Sequence, residues 1–295
     1  AGGELVPPLQ VFDAVSRGGV EMGHAASYYW AGKIPAAQFM TVVPFGLTQK
    51  GAWAWIYAGD GLKLWKELYQ PFGVVPFPMG NTGVQMGGWF RKKINSIEDI
   101  KGLRMRIPGL GGKVFKKAGG NPVLMAGSEI YTALERGAID ATEWVAPFHD
   151  MRLGLDRTAQ YYYYPGWHEP GTVFELMINN SKWRLLPEDL QKMVEVAAGA
   201  ISEWIYAQME FHNQEALAKL RKKQNVEILK YPDDVLTTLK FLTKETLDEE
   251  AEKLMSENNN PRFKKVYDAY ENFRANYELW GDLSDRAYQK SLKLE

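Results

Sequence analysis

The chain has 295 residues, of which 45% are hydrophobic and 24% are charged, and its formal net charge at pH 7 is -1. Such a composition is typical of a globular protein large enough for two lobes with separate cores, and its charge balance does not favour nucleic acid as a partner. The absence of Cys excludes disulfides, thiolate metal sites and cysteine nucleophiles. No apolar run reaches the ~20 residues that a membrane-spanning helix needs.

Hydrophobic periodicity predicts an alternation of helices and short strands. The first half is predicted to contain, in chain order, a helix over 8–17, a strand at "VEMGHA", an aromatic turn at "SYYWAGK", an extended segment at "FMTVVPF", a long helix over 48–71, strands at "VVPFPM" and "VQMGGWF", and a short helix at "SIEDIKG". Then follow the strand "LRMRIPG", the helix "GKVFKKAG", the strand "PVLM", the helix "GSEIYTALERG", the strands "IDATEWV" and "TVFELMIN", and a mostly helical region from 187 that "VEILKYP" interrupts. This alternation, with its short glycine turns, predicts an α/β fold with parallel sheets covered by helices.

The stretch "LRMRIPGLGG" carries two arginines, Arg104 and Arg106, on one face of a predicted strand. Strands covered by helices are buried on both faces, so a guanidinium there needs an anionic partner. Arg106 precedes glycines and a predicted helix N-terminus, and this combination suits a small carboxylate. An internal ion pair with Glu143 or another acid is the alternative, and the sequence leaves both open. The "GLGG" run lacks the remaining residues of a phosphate loop or a dinucleotide fingerprint, so nucleotide binding is not favoured.

Three other polar residues, Gln85, Glu143 and Glu169, interrupt apolar or glycine-rich settings. Their amide and carboxylate oxygens are hard donors without a clear His or Cys pair, which favours Ca²⁺, Na⁺ or Mg²⁺ over zinc. His168 is a further candidate ligand, although a lone His in a turn more often forms hydrogen bonds or lines a cavity. No linear metal motif is present, so acids with purely structural roles remain the alternative.

Four longer runs resemble a known family: "GNTGVQMGGWF", "DIKGLRMRIPGLGGKVFKKAGGNPV", "GSEIYTALERGAIDATEWVAPFHDMRLGL" and "YYYYPGWHEPG". They are similar to the DctP-type substrate-binding proteins of tripartite ATP-independent periplasmic (TRAP) transporters, and the similarity covers nearly the whole chain. The branch that it most resembles binds 2-oxo and 2-hydroxy monocarboxylates such as pyruvate and lactate. The resemblance implies that Arg106 holds the substrate carboxylate and that Arg104 is a supporting residue.

The resemblance also implies a cation site. Its protein ligands would be the side chains of Gln85, Glu143 and Glu169 and the backbone carbonyl of Trp144, and substrate oxygens would complete the shell. Together with Arg106 and a monocarboxylate, the two acids leave a double negative charge. Ca²⁺ would cancel this charge and Na⁺ would halve it, so the charge balance favours Ca²⁺, with Na⁺ as the alternative.

In the resembled family, the loops that match those of Tyr28, Tyr29 and Asn81 line the substrate cleft. The resemblance therefore implies the following substrate-binding residues: Tyr28, Tyr29, Asn81, Gln85, Arg106, Trp144 and Glu169. Plain core packing is the alternative for the two tyrosines in "SYYW".

The architecture implied by the resemblance is a two-lobed periplasmic solute-binding fold of type II-like form, which closes on its ligand by a hinge. Lobe I would contain residues 1–83 and 172–211, lobe II residues 84–171 and 212–260, and a long C-terminal helix residues 261–295. A signal peptide and a strand, helix and strand of roughly 40 residues, judged from the usual sizes of such elements, are expected to precede this sequence.

The implied function is capture of a 2-hydroxy or 2-oxo monocarboxylate in the periplasm and its delivery to TRAP membrane subunits, without catalysis. A metal-dependent pyruvate lyase or aldolase is the alternative, in which His168 would be the free base. The terminal helix carries an apolar stripe made of Phe263, Val266, Tyr267, Tyr270, Phe273, Tyr277 and Trp280. In the resembled branch this helix packs across a partner subunit, so we predict a homodimer, with docking on its own lobe as the alternative.

Overall fold

The computed structural model describes residues 3–258 and 260–292. Residues 1, 2, 259 and 293–295, which belong to the predicted lobe segments and C-terminal helix, lie outside the described residues. No helix in the described ranges has the length and the apolar character to cross a membrane.

The described residues form α-helices and shorter helical turns. The α-helices are α1 (Val11–Ser16), α2 (Gln38–Thr41), α3 (Gln49–Trp53), α4 (Gly61–Tyr69), α5 (Gly109–Lys117), α6 (Gly127–Glu135), α7 (Pro147–Arg152), α8 (Asn180–Trp183), α9 (Glu188–Leu220), α10 (Asp233–Asn258), α11 (Pro261–Leu283) and α12 (Asp285–Ser291). The shorter turns include the 3-10 segments Pro8–Gln10, Ser27–Trp30, Pro35–Ala37, Gln70–Phe72, Ile97–Ile100 and Leu155–Arg157, and a π-helical turn at Ala54–Ala58.

The strands form two sheets. The strands are β1 (Met22–Ala25), β2 (Val74–Asn81), β3 (Gly88–Phe90), β4 (Arg104–Arg106), β5 (Asn121–Val123), β6 (Ala141–Thr142), β7 (Tyr161–Tyr164), β8 (Val173–Asn179) and β9 (Glu227–Lys230). The first sheet has the order β1-β8-β2, and the second has the order β5-β4-β6-β3-β7-β9. The chain is thus a mixed α/β protein, as predicted.

The prediction of parallel sheets is only partly correct. In the first sheet β8 pairs with both neighbours in antiparallel register. In the second sheet β4 is parallel to β5 and β6, and β7 is parallel to β9, whereas β3 runs antiparallel to β6 and β7. Strand direction is set by where the chain re-enters each sheet, and the local sequence pattern does not contain that information.

Two predicted elements are wrong. The run "FMTVVPF" begins with the buried helix α2 and continues without strand pairing, because a short run that is apolar on every side has no period from which to distinguish a strand from a helix. The long helix predicted over 48–71 is divided into α3, the π-helical turn Ala54–Ala58 and α4. Gly59 and Asp60 separate the last two, since glycine and aspartate are poor helix formers.

Separate cores lie beside the two sheets. One core joins α1 to α4, the first sheet and α11, and the others join the second sheet to α5, α6 and α10. Helix α9 contacts both β2 of the first sheet and α7 beside the second. The lobe boundaries stated above remain a prediction.

The apolar stripe of the C-terminal helix is divided between core and surface. Phe263, Val266 and Tyr270 are buried in the first core, so this part of the stripe docks on its own lobe. Trp280, in contrast, is 65% exposed. Phe273 and Tyr277 also pack against this core. The alternative of local docking therefore describes α11 as far as Tyr277 and leaves its end exposed.

Candidate functional site

A cavity of about 490 Å³ is lined by residues from both sheets and from helix α9. Its lining contains Tyr28 and Tyr29 from the turn after β1, Arg106 at the end of β4, and Trp144 after β6. The remaining lining residues are His24, Gln85, Val145, Phe148, His149, Thr172, Phe174, Trp204, Ile205, Gln208, Met209 and His212. The turn after β1 and the carboxyl ends of β4 and β6 therefore meet at one place.

Arg106 lies at the centre of this arrangement and is 1% exposed. Its guanidinium donates to Glu143 Oε1 and, at 3.2 Å, to the hydroxyl of Tyr29. The guanidinium carbon lies 5.3 Å from the centre of the Trp144 ring. The internal ion pair with Glu143 is thus present, and Arg106 also lines the cavity. An ion pair with Glu143 and binding of a small carboxylate, the two alternatives for Arg106, are therefore compatible.

Gln85 and Glu169 are joined to each other beneath the cavity. The Gln85 Nε2 group donates to Glu169 Oε2 at 2.8 Å and to Thr172 Oγ1 at 3.1 Å. Thr172 Oγ1 donates in turn to Glu169 Oε2 at 2.5 Å. Because the amide nitrogen is used in this way, the Gln85 Oε1 atom is buried without a hydrogen-bond donor among the described residues.

Glu143 and His168 approach the same point. His168 Nε2 lies 3.6 Å from Glu143 Oε2, and both side chains are buried. Within the described ranges, neither Glu143 Oε2 nor the ring nitrogens of His168 have a hydrogen-bond partner. One ligand atom each from Glu143, His168 and Glu169 can be chosen so that all three lie within 4.8 Å of one another. Glu143 therefore converges with the adjacent pair His168 and Glu169, which lies in a different loop.

Burial dominates the electrostatics of this cluster. Burial raises the pKa of Glu143 to about 7, although the nearby Arg106 guanidinium opposes the shift. Burial and, to a smaller extent, the charge of Glu143 raise the pKa of Glu169 to about 7. Burial lowers the pKa of His168 to about 4, so its imidazole is neutral near pH 7. Two carboxylates that resist ionisation side by side would be stabilised by a cation between them.

The chemistry of the donor set fits a hard cation. Buried polar atoms without partners are costly, and among the described residues of this cluster they are the Gln85 amide oxygen, one Glu143 carboxylate oxygen and the two ring nitrogens of His168. The two oxygens are of the ligand types that Ca²⁺ and Na⁺ prefer. The Trp144 carbonyl oxygen accepts no hydrogen bond in the part of the chain that the structure describes. The site can thus offer Gln85, Glu143, Glu169 and this carbonyl to a cation, and Arg106 to an anion.

Glu169 does not line the cavity, and neither does Asn81, which joins two loops instead. Its amide nitrogen donates to the Gly171 carbonyl at 3.3 Å, and its amide oxygen accepts from the Gly83 N–H at 2.8 Å. It is fully buried and does not line the cavity. In this structure Asn81 ties the loop after β2 to the loop before β8, while Tyr28 and Tyr29 lie in the cavity wall.

Arg104 lies at the surface, contrary to the expectation that both faces of its strand are buried. Its guanidinium forms two bonds with the Asp140 carboxylate, at 2.9 and 2.7 Å, and a third with the Gly137 carbonyl. The two arginines stand at opposite ends of β4: Arg106 at the carboxyl end lines the cavity, whereas Arg104 at the start is 46% exposed and fixes the turn before β6.

Sequence reasoning missed the outer part of the cavity. Its wall is formed by His24, Phe148, His149, Phe174, Trp204, Ile205, Gln208, Met209 and His212. Four of these residues recur on one side of α9 at positions 204, 205, 208 and 212, which is helical spacing. That pattern was a usable signal for a face of α9, but nothing in the sequence showed which cavity the face meets.

Comparison with protein families identifies the relatives of this chain. The DctP family model, described as bacterial extracellular solute-binding protein, family 7, matches residues 1–254. The chain belongs to this family. The monocarboxylate 2-oxoacid-binding periplasmic protein of Nostoc sp. is 43% identical over 98% of this chain and 78% of its own length. The predictions of a TRAP-type solute-binding protein and of a periplasmic location are thereby confirmed.

Solved structures of TRAP solute-binding proteins share the fold. The protein of Colwellia psychrerythraea, with bound calcium and pyruvate, is 43% identical with a TM-score of 0.91, covering 96% of this chain and 85% of that one. The Pseudoalteromonas atlantica protein, with bound sodium and pyruvate, is 42% identical with a TM-score of 0.91, covering 98% and 85%. The Bordetella bronchiseptica protein, a dimer with copurified calcium and picolinate, is 38% identical with a TM-score of 0.94, covering 99% and 84%. The predicted two-lobed fold is confirmed by these likenesses.

Proposed function

We propose that this solute-binding protein captures a small 2-oxo or 2-hydroxy monocarboxylate, pyruvate or lactate, together with Ca²⁺, with Na⁺ as the alternative cation. The observation that carries the proposal is that Glu143 and Glu169 lie close together beside Arg106 and that Gln85 is bonded to Glu169. Among the described residues, Gln85 Oε1 and Glu143 Oε2 are buried without a hydrogen-bond partner. The relatives whose structures hold calcium or sodium with pyruvate support it.

Each part of the ligand has a stated partner in this proposal. The Arg106 guanidinium binds the carboxylate, since its fork can form two parallel hydrogen bonds. Gln85, Glu143, Glu169 and the Trp144 carbonyl hold the cation, which supplies positive charge for the carboxylate and the 2-oxygen of the ligand. Tyr28 and Tyr29 form the wall on the side of the first sheet.

Binding without turnover is the finer part of the proposal. Membership in a solute-binding family supports it, and delivery to TRAP membrane subunits follows from that membership. His168, with both ring nitrogens unpartnered, is the residue that an enzymatic alternative would use as a base. Pyruvate or lactate incubated with protein and Ca²⁺ should be recovered unchanged, and a new product would favour the enzyme.

Calorimetry with three acids tests the proposal. Pyruvate and lactate should bind to the Ca²⁺-loaded protein and only weakly to protein freed of metal, because ligand and cation complete each other's site. Propionate, which lacks the 2-oxygen, should bind weakly in both states. Equal binding of pyruvate before and after removal of metal, checked by elemental analysis, would contradict the cation site and leave the carboxylate on Arg106 alone.

We also propose a homodimer that uses the end of α11. Leu279, Trp280 and Leu283 are 67%, 65% and 80% exposed, which is unusual for large apolar residues on one helix end. The dimer of the Bordetella bronchiseptica relative supports the proposal. Light scattering should give a dimer mass for the wild type and a monomer mass for Leu283→Glu. A monomeric wild type at micromolar concentration would refute it.

A further inference from the structure

Asp150 is a buried carboxylate on α7 to which neither the sequence analysis nor the proposed function gives a role. It is 1% exposed. Its Oδ2 atom accepts hydrogen bonds from the Trp89 indole at 3.0 Å and from the Tyr162 hydroxyl at 2.7 Å. Its Oδ1 atom accepts the backbone N–H of Val145 at 2.9 Å. All three partners donate to Asp150, and these donors oppose the rise of its pKa to about 7 that burial causes.

The Val145 N–H belongs to the same peptide unit as the Trp144 carbonyl. This peptide is trans and planar, so its C=O points away from its N–H. Fixing the N–H on Asp150 therefore fixes the direction of the Trp144 carbonyl oxygen, which accepts no hydrogen bond from the described residues. A carboxylate bound to the N–H also polarises the peptide and increases the negative charge on that oxygen.

The support behind Asp150 is rigid. Trp89 and Tyr162 are directly opposite each other in the pairing of β3 with β7. Their rings stack with centroids 4.0 Å apart and planes 15° apart, and both side chains are fully buried. Asp150 is thus held by two strands of the second sheet and holds one loop peptide, which begins directly after Glu143.

We propose that Asp150 is a positioning residue of the cation site, which directs and polarises the Trp144 carbonyl and adds a third buried carboxylate that favours Ca²⁺ over Na⁺. This inference rests on the proposed function, because it needs the Trp144 carbonyl as a cation ligand. A divalent ion gains about twice as much as a monovalent ion from one further negative charge at the same distance, so the choice of cation is the property that Asp150 would alter most.

The test compares three variants of the full-length chain by pyruvate-dependent tryptophan fluorescence at varied CaCl₂ or NaCl. Asp150→Asn keeps an acceptor for Val145 but removes the charge, and should lower the Ca²⁺ affinity about 10- to 100-fold, the usual effect of outer-shell changes, with a smaller loss for Na⁺. Tyr162→Phe keeps both the charge and the Val145 contact, and should leave the ratio of Ca²⁺ to Na⁺ affinity unchanged while lowering thermal stability. Glu143→Gln should abolish the response to either cation.

The outcomes separate the two proposals. If Glu143→Gln retains the Ca²⁺ response of the wild type, the proposed cation site itself is wrong. If Glu143→Gln loses the response while Asp150→Asn keeps the wild-type ratio of the two cations, only the role of Asp150 is wrong. The role of Asp150 is also wrong if Asp150→Asn and Tyr162→Phe change the ratio of Ca²⁺ to Na⁺ affinity equally, because Asp150 then serves only the packing of Trp89 and Tyr162.

An NMR measurement needs no variant that might fail to fold. In metal-depleted wild-type protein, the Val145 amide proton should resonate downfield and exchange slowly with solvent, because its hydrogen bond to a buried carboxylate exists before any cation binds. A Val145 amide that exchanges as rapidly as an exposed loop amide would overturn the inference. In folded Asp150→Asn, this proton should move upfield.

Discussion

The two halves of the molecule each bury an acidic centre, and the two centres are bonded differently. In the first, Glu175 on β8 accepts hydrogen bonds from Ser27, Trp30 and Tyr69 at 2.9, 2.6 and 2.8 Å, so both of its oxygens have donors. In the second, Glu143 has one oxygen bonded to Arg106, and its other oxygen has no partner among the residues that the structure describes. Burial is the same, since both carboxylates are 0% exposed.

This difference shows that burial alone does not identify a functional acid. Burial raises the pKa of Glu175 and of Glu143 to about 7 in each case. A buried acid whose donors all come from its own protein is complete and stabilises the fold, whereas an acid with an unused oxygen at a cavity can accept a further ligand. The comparison therefore favours a structural role for Glu175 and supports the proposed binding role of Glu143.

The largest expected effect separates the two centres directly. Glu143→Gln should weaken pyruvate binding in Ca²⁺ by about 4 kcal/mol, close to a thousand-fold, because it removes a charge shared by the cation and Arg106. Calorimetry with the Ca²⁺-loaded proteins measures this loss. Glu175→Gln makes the same chemical change in the other half and should retain cation-dependent binding. Equal losses in both variants would remove the distinction.

The pH dependence of stability tests the structural centre. The folded-state pKa of Glu175, about 7, lies above the ordinary value of 4.5, so the neutral acid is favoured in the folded protein. Its contribution to the free energy of unfolding is present below pH 4.5 and is lost as the pH rises through 7, a change of about 3 kcal/mol. Urea unfolding of metal-depleted protein should therefore show a steeper fall with pH for the wild type than for Glu175→Gln. Identical slopes for the two proteins would contradict a raised folded-state pKa of Glu175.

Arg106→Lys is expected to have an intermediate effect, confined to the binding centre. An ammonium keeps the charge but loses the two-pronged contact with a carboxylate, so pyruvate affinity should fall by about 2 kcal/mol, roughly thirty-fold. Calorimetry gives the affinity and circular dichroism checks the fold. Arg104→Lys on the same strand is the matched control and should bind pyruvate as the wild type does. Near-native affinity of Arg106→Lys would refute its role.

The smallest expected effect compares two tyrosine hydroxyls. Tyr29→Phe removes the acceptor that lies 3.2 Å from the Arg106 guanidinium and should reduce pyruvate affinity by about 1 kcal/mol, roughly five-fold. Tyr69→Phe removes a donor to Glu175 and should lower the free energy of unfolding by about the same amount, with less effect on affinity. Measuring both quantities for both variants shows whether each hydroxyl acts on the predicted property, and an exchange of the two results would contradict the comparison.

Much of the fold was readable because local pattern sets local structure. The strand of Arg104 and Arg106, the helix that contains "GLGG" and the helix α6 are all present near their predicted positions. The elements that failed were the run that became α2 and the helix divided at Gly59, where the chain is buried on all sides or changes helix type. Periodicity is lost in the first case, and in the second a helical pattern continues across a change of backbone geometry.

The sequence by itself determined which residues were available for the site. Arg106, Gln85, Glu143 and Glu169 were conspicuous because charge or amide in an apolar setting requires a partner. Only the tertiary structure decided which atoms of these residues remain free. The Gln85 amide nitrogen donates to Glu169 and Thr172, whereas its oxygen has no donor among the described residues. Asn81 is equally polar, but its amide is bonded within the protein and joins two loops. Such assignments depend on contacts between segments up to 90 positions apart, and these contacts exist only once the two sheets and α9 have packed together.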